Sequence, residues 1–509
     1  MFHRVMSAAL LGIEAVPVYV EADVSDGLPV FSMVGSLGLR VREAQDRVRT
    51  ALKNEGFALP PKRITINLAP ADISKDGSRF DLAIALAVLM SQAVFPPEAL
   101  EGVMVVGELS LGGRVNGIPG VLNTVMAAKK AGCRLCLVPE DNQAEAGLVA
   151  GMPVMGVGSL AGAIAAARRH FDGAPVHKRI RPVSLPAGGE DFADIRGQRL
   201  VKRAALLAAA GFHNLLMTGP PGSGKTMAAR RLPGIMPPMT DDECLELTQI
   251  YSAAGELGED GSVIAARPFR APHHTVTVKT LTGGGRLPRP GEITLAHRGI
   301  LFLDEMPEFS RAALEALRQP LENREIVISR TTGTFRFPAN FLLAAAVNPC
   351  PCGQYGQPGG QCTCSPAAIA RYRERLSGPL MDRIDLKVVV PPVTYRELTD
   401  AAPSDVSSAV LRAAVLEAHR RQKERYHGEA FDFNSGIPAG RLAEYCPLTP
   451  AAARVLEAVF VREKLSARAY HRLLRVARTA ADLDGAAEID RRHIEEAALY
   501  RMAFKGPEE

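Results

Sequence analysis

One octapeptide limits what this chain can fold into. Gly219, Pro220, Pro221, Gly222, Ser223, Gly224, Lys225 and Thr226 match G-x-x-x-x-G-K-[ST], with the apolar strand pattern HNLLMTG before them and a helical pattern after. Glycines in such a loop let successive backbone N–H groups turn inward onto phosphate oxygens, and the following helix adds the positive end of its dipole. The lysine of the pattern reaches the β- and γ-phosphates and the final hydroxyl binds Mg²⁺. Lys225 and Thr226 hold those positions, so the motif predicts an ATP and Mg²⁺ site.

Two further apolar runs complete the expected chemistry. GILFLDE reads as a strand from the core of a parallel sheet. Asp304 at its end would hold Mg²⁺ through water, and Glu305 would polarise the attacking water. NFLLAAAVN ends at Asn348, where a polar group beside the γ-phosphate would orient that water. Together these runs predict hydrolysis of ATP rather than binding alone.

With 509 residues the chain is too long for one core and should divide into two to four domains. Short strands alternate with helices up to about residue 170, as in VPVYVEADV, LRVREAQDRVRTALKNEGF, RITINLAP and FDLAIALAVLMSQ. That alternation predicts an α/β or α+β unit. FDGAPVHKRIRPVSLPAGG, rich in breakers, reads as a linker, and the segment from about Asp400 onward is helical. Glu14 and Pro17 interrupt the N-terminal apolar run, so it does not read as a secretory leader. No run approaches the roughly 18 to 20 apolar residues of a membrane span. The expectation is a cytoplasmic chain without a membrane partner. A net charge of +5 is too small to indicate nucleic acid, so any such surface must be local.

The P-loop, the DE-ended strand and the Asn-ended strand together resemble the AAA+ ATPases. The finer pattern resembles their magnesium-chelatase-like branch, the ComM/YifB family. The resemblance is carried by DFADIRGQRLVKRAALLAAAGFHNLLMTGPPGSGKT, FRAPHHTVT, GEITLAHRGILFLDEMPEF, AAVNPCPCG, GPLMDRIDL and LSARAYHRLLRVARTAADL, in order through most of residues 190–485. Residues 1–170 look like that family's Lon-protease-like domain. The implied fold is α/β, with an AAA+ P-loop core at 189–395, an N-terminal Lon-like α+β domain at 1–170, a linker at 171–188 and a C-terminal helical lid at 396–509. The resemblance implies a homo-hexameric ring in which a neighbour completes each site. Arg383 in MDRID is similar to the arginine finger that reaches the adjacent subunit's γ-phosphate; its plain alternative is a surface salt-bridge arginine. Arg468 is the implied sensor-2 arginine, with Arg475 second. The implied function is an ATP-driven DNA motor, a branch-migration helicase of homologous recombination and natural transformation acting on single-stranded or branched DNA. The alternative is a protein-remodelling or chelatase-type motor that does not act on DNA.

Two segments need separate readings. ENREIVISRTTGTFRFPANF alternates as a hairpin before the sensor strand. Arg324, Arg330 and Arg336 recur every six residues through it, and even spacing would place them on one face of each arm. That face would contact DNA if the hairpin points into a ring pore, as in related helicases; otherwise the hairpin is a solvated ribbon. Cys350, Cys352, Cys362 and Cys364 form C-x-C-x9-C-x-C in a Gly-rich loop. Four thiolates there suit structural Zn²⁺, although the pairs are closer than in the usual knuckle; free or redox-active thiols are the alternative. The other C-x-x-C, Cys133–Cys136, reads as a turn entering a buried strand. A Lon-like domain also raises the possibility of proteolysis. Arg79 stands where the nucleophilic serine is expected, Ser78 is one place early, and no lysine appears in GIPGVLNTVMAAKKAG before Lys129. The expectation is an inactive protease-like domain.

Overall fold

The computed structural model describes residues 2–171, 190–258, 261–331, 333–356, 361–395, 397 and 406–502. The expected linker therefore lies outside the described residues apart from Phe171, and divisions at 170, 188 and 395 are carried as a proposal.

The N-terminal part is a seven-stranded mixed sheet in the order β3-β4-β2-β1-β5-β8-β9. Its strands are β1 (Phe2–Leu11), β2 (Glu14–Ser25), β3 (Val30–Val34), β4 (Arg63–Ala69), β5 (Val103–Val105), β8 (Leu135–Pro139) and β9 (Val154–Val157). A small hairpin, β6 (Glu108–Leu109) with β7 (Val115–Asn116), stands apart. The N-terminal apolar run is thus β1, antiparallel to β2 around a turn at Gly12. The helix Asp81–Ser91 is buried along nearly its whole length against β1 and β2. Its DLAIALAVLMS sequence has no polar face, as full burial requires. Cys136 lies in β8 and is buried, which pushes its thiol up, so it is a core residue as expected.

The second sheet is five-stranded and wholly parallel, in the order β11-β12-β15-β10-β16. Its members are β10 (Leu215–Thr218), β11 (Phe269–Arg270), β12 (Ile300–Leu303), β15 (Leu342–Val347) and β16 (Leu386–Val389). Every residue of β12 and β15 is buried, which explains why both read as continuous apolar runs. β15 lies between β12 and β10, so the P-loop, Asp304 and Asn348 all emerge at one carboxyl edge. Parallel α/β sheets bind ligands at that edge.

Before β15 comes an antiparallel hairpin, β13 (Glu325–Arg330) and β14 (Gly333–Pro338). Ile326, Ile328, Phe335 and Phe337 form its apolar face, which packs with Leu11 and Ile13 from the turn between β1 and β2. The N-terminal sheet also meets the core through Gly120 N–H to Ser252 O (2.8 Å) and the Arg286–Asp76 ion pair (3.2 Å).

The C-terminal helices Ser408–Arg425, Pro450–Arg462, Ala467–Leu483 and Arg491–Met502 share one hydrophobic core with the helix Arg199–Gly211 and one face of the parallel sheet. At its centre Asp482, fully buried, accepts bonds from Arg425 (2.5 Å), Arg478 (3.2 Å) and Asn434 (2.8 Å). A carboxylate at that depth is tolerable only with such a full set of donors.

Candidate functional site

The P-loop runs from β10 into the helix Lys225–Ile235, whose first residue is the motif lysine. Lys225 is nearly buried, and its Nζ donates to Gly219 O (2.7 Å), Pro220 O (2.8 Å) and Asn348 Oδ1 (3.2 Å). Burial lowers its pKa, against the opposing pull of Asp304 and Glu305. Thr226 Oγ1 donates to Asp304 Oδ2 (2.9 Å), and Asp304 Oδ1 accepts from Glu305 N (3.0 Å). A hydroxyl beside a carboxylate is a hard oxygen donor set of the kind Mg²⁺ takes. Glu305 itself is exposed and held at φ +49°, a conformation that costs a non-glycine residue energy and recurs at functional sites. The sequence-predicted Lys225, Thr226, Asp304, Glu305 and Asn348 therefore converge in one cluster.

Beside the loop is a cavity of about 330 Å³ whose apolar wall is Ile195, Met227, Pro392 and Val393 and whose polar rim includes Asp194 and Gln198. Gln198 Nε2 donates to Pro391 O (2.6 Å), which ties the start of the helix Arg199–Gly211 to the strand end after β16. The shape and lining suit a flat base attached to phosphates on the P-loop.

The arginines are elsewhere. Arg383 is almost buried, donates to Pro379 O (2.6 Å) and is paired with the Glu322 carboxylate, while its Nε has no partner. Arg468, exposed, approaches the same Glu322 at 3.5 Å. Both line a cavity of about 350 Å³ with Arg324, Arg472 and Arg475, and this cavity shares no residue with the one at the P-loop. Burial opposes ionisation of Asp385 at its base, but Arg472 at 2.7 Å and His213 outweigh it and hold the carboxyl well below its usual range. Arg475 is tied to Ile437 O (2.6 Å), which leaves Arg468 the freer of the two sensor-2 candidates.

The four cysteines do come together. Cys350, Cys352 and Cys362 have Sγ separations of 3.4, 3.6 and 3.7 Å, and all four ligand atoms lie within 4.8 Å of one another. A Zn–S bond of about 2.3 Å gives tetrahedral edges of about 3.8 Å, whereas a disulfide needs about 2.05 Å. The thiols are thus spaced for a metal rather than for disulfides.

Three family models match the chain in order: "Subunit ChlI of Mg-chelatase" at residues 20–142, "Magnesium chelatase, subunit ChlI" at 191–398 and its C-terminal model at 405–501. The competence protein ComM of Haemophilus influenzae is 42% identical over 505 residues, 98% of this chain and 97% of its own length. YifB of Escherichia coli is 40% identical over 499 residues, 98% of this chain and 96% of its own. The chain belongs to the magnesium-chelatase-like AAA+ family that includes YifB and ComM. A chelatase 38 kDa subunit of Rhodobacter capsulatus is more distant, 24% identical over 62% of this chain and 87% of its own length.

For a member of the YifB and ComM family, two expectations need revision or restatement. Arg324, Arg330 and Arg336 do not share a face. Arg324 precedes β13 at φ +57° and lines the cavity of Arg383. Arg330 pairs across the hairpin with Gly333 and Arg336 with Val327, so the strand alternation puts Arg330 on the side of Ile326 and Ile328 and Arg336 on the other. Arg336 is also neutralised by Glu325 at 2.8 Å. In the N-terminal part, Arg79 is buried and donates to Pro119 O (2.6 Å), Ser78 bonds Glu108, and Lys129 donates to Ala150 O (2.7 Å). Ser78 and Lys129 thus bond groups other than each other, and the family match to this part names a chelatase subunit rather than a protease.

Sequence reading missed Gln198, Glu322 and Tyr372, the last buried beside the Asn348 backbone. Gln198 lies inside the DFADIRGQRL stretch and was findable there. Glu322 and Tyr372 are single polar residues on helical segments and carry no local signal.

Proposed function

We propose that this chain is an ATP-driven, ring-forming DNA motor, a branch-migration helicase of homologous recombination and natural transformation. The observation that carries the DNA reading is the near full-length identity of 42% to a protein named for competence. The hydrolytic part rests on the Lys225, Thr226, Asp304, Glu305 and Asn348 cluster.

Phosphates arriving at the loop would take over the Lys225 bonds now made to its own backbone. Thr226 and Asp304 would hold Mg²⁺, which when bound neutralises charge on the β- and γ-oxygens. Glu305 would polarise the water in line with the γ-phosphate, with Asn348 orienting it. Arg383 and Arg468 do not line their own chain's nucleotide cavity, so their contribution fits the site of a neighbour in a homo-hexamer. Cys350, Cys352, Cys362 and Cys364 would hold a structural Zn²⁺, four soft donors leaving no open position for chemistry. Arg330, beside Gly284 and Lys279, is the hairpin arginine best placed to grip a DNA backbone.

The test is a labelled four-way junction incubated with the purified chain. The proposal expects ATP-dependent resolution of the junction, abolished in Glu305→Gln. A chain that hydrolyses ATP but leaves every junction intact would instead support a protein-remodelling or chelatase-type motor, toward which the chelatase subunit relationship points.

A further inference from the structure

The cysteine cluster occupies a place in the chain that a merely local staple would not need. Cys350 stands two residues beyond Asn348 at the end of β15 and is fully buried. Its carbonyl accepts from Gly353 N (3.0 Å) and its Sγ from Tyr355 N (3.3 Å), so the turn is wrapped around this one sulfur. Gly353, at φ +78°, lies so close to the P-loop that a Cβ there would be 2.5 Å from Pro221 Cδ. The turn is seated on the loop that binds phosphate.

The far side of the cluster is anchored as well. Cys364 leads directly into the helix Pro366–Glu374. From that helix the buried Tyr372 lies beside the Asn348 backbone, and Arg373 stacks over the Tyr355 ring at 5.3 Å. The same segment continues to Arg383, the residue proposed above to serve a neighbour's site. The loop between Cys352 and Cys362, GQYGQPGGQ, is rich in glycine and poor in apolar side chains, a composition to which a metal on the four sulfurs would add order.

We propose that metal bound by Cys350, Cys352, Cys362 and Cys364 is a positioning element for hydrolysis: by fixing the start of the turn it sets Asn348, so that loading the cluster licenses turnover without being needed for nucleotide binding. This rests on the metal reading given under Proposed function. The cluster is not catalytic, since no sulfur touches the nucleotide cluster; it acts through Asn348.

The experiment compares the full chain as purified, the chain stripped with a thiol-compatible zinc chelator, Cys364→Ser and Tyr372→Phe. Zinc content is read by elemental analysis, nucleotide affinity by fluorescent-ATP titration and turnover by phosphate release. The expected result is about one zinc per chain. Stripped protein and Cys364→Ser should lose at least about ten-fold in kcat with nucleotide Kd changed less than about three-fold, and added Zn²⁺ should restore only the stripped protein. Tyr372→Phe should keep its zinc and still lose turnover, because the hydroxyl beside Asn348 is removed below the metal. Zinc present but turnover unchanged on stripping overturns the coupling and leaves the metal reading intact. No stoichiometric zinc in the native chain overturns both. Loss of nucleotide binding together with turnover also overturns the proposal, since it reduces the cluster to general support of the fold.

Discussion

Gly353→Ala tests how tightly the cysteine turn is seated on the P-loop. The added Cβ would lie 2.5 Å from Pro221 Cδ, where carbon atoms normally sit about 3.5 to 4.0 Å apart. More than about 1 Å of overlap must be relieved by moving the turn or the P-loop, a strain of about 1 to 3 kcal/mol. The backbone at φ +78° adds about 1 to 2 kcal/mol for a side chain in the left-handed region. If about 2 kcal/mol of that total falls on the conformation that receives phosphate, ATP binding weakens about 30-fold. A fluorescent-nucleotide titration reads this directly, with zinc content measured in parallel. Affinity within about two-fold of the parent chain, with the fold and metal content preserved, would refute the reasoning.

Arg383→Ala should lower turnover by about 10³-fold or more while leaving nucleotide affinity nearly unchanged, because the side chain does not line its own site. Mixing Arg383→Ala with Glu305→Gln should recover part of the activity, since intact sites then meet intact arginines; no recovery would place the arginine's role within one chain. Arg330→Ala should weaken DNA binding and reduce its salt slope by about one phosphate contact, whereas Arg336→Ala, already paired with Glu325, should do little; equal effects on salt-dependent binding would contradict the two-faced hairpin. Burial, with Lys423 and Arg267 nearby, depresses His419 from 6.5 to about 4. Its neutral form therefore contributes stability that is complete above the unfolded value and lost as pH falls from 6.5 toward 4, at most about 3 kcal/mol. Denaturant titrations of His419→Gln should show a shallower loss over that window, and an unchanged slope would disprove the assignment.

What could be read from the sequence was whatever a local pattern encodes. The P-loop and the strands ending at Asp304 and Asn348 announce themselves, because a buried parallel strand must be apolar throughout and its polar end is conspicuous. The four cysteines were visible for the same reason, as a dense pattern in a loop with little else. The hairpin was legible as a hairpin, yet its faces were not. Register pairs Arg330 with Gly333, so even-numbered positions on one arm share a side with odd-numbered positions on the other, and spacing of six along the chain does not carry across the turn. Arg324 left the set because the chain turns at φ +57° before β13 begins. The Glu322 pair with Arg383 and the contact of Leu11 and Ile13 with the hairpin join residues far apart in sequence, and nothing local announces them.

The central claim is that ATP hydrolysis here is coupled to DNA. The most direct measurement is ATP turnover by the full chain with no DNA, with single-stranded DNA and with a four-way junction, against Glu305→Gln as the blank. Turnover should depend on Glu305 and rise several-fold with DNA, most with the junction. Healthy turnover that is indifferent to every DNA would contradict it.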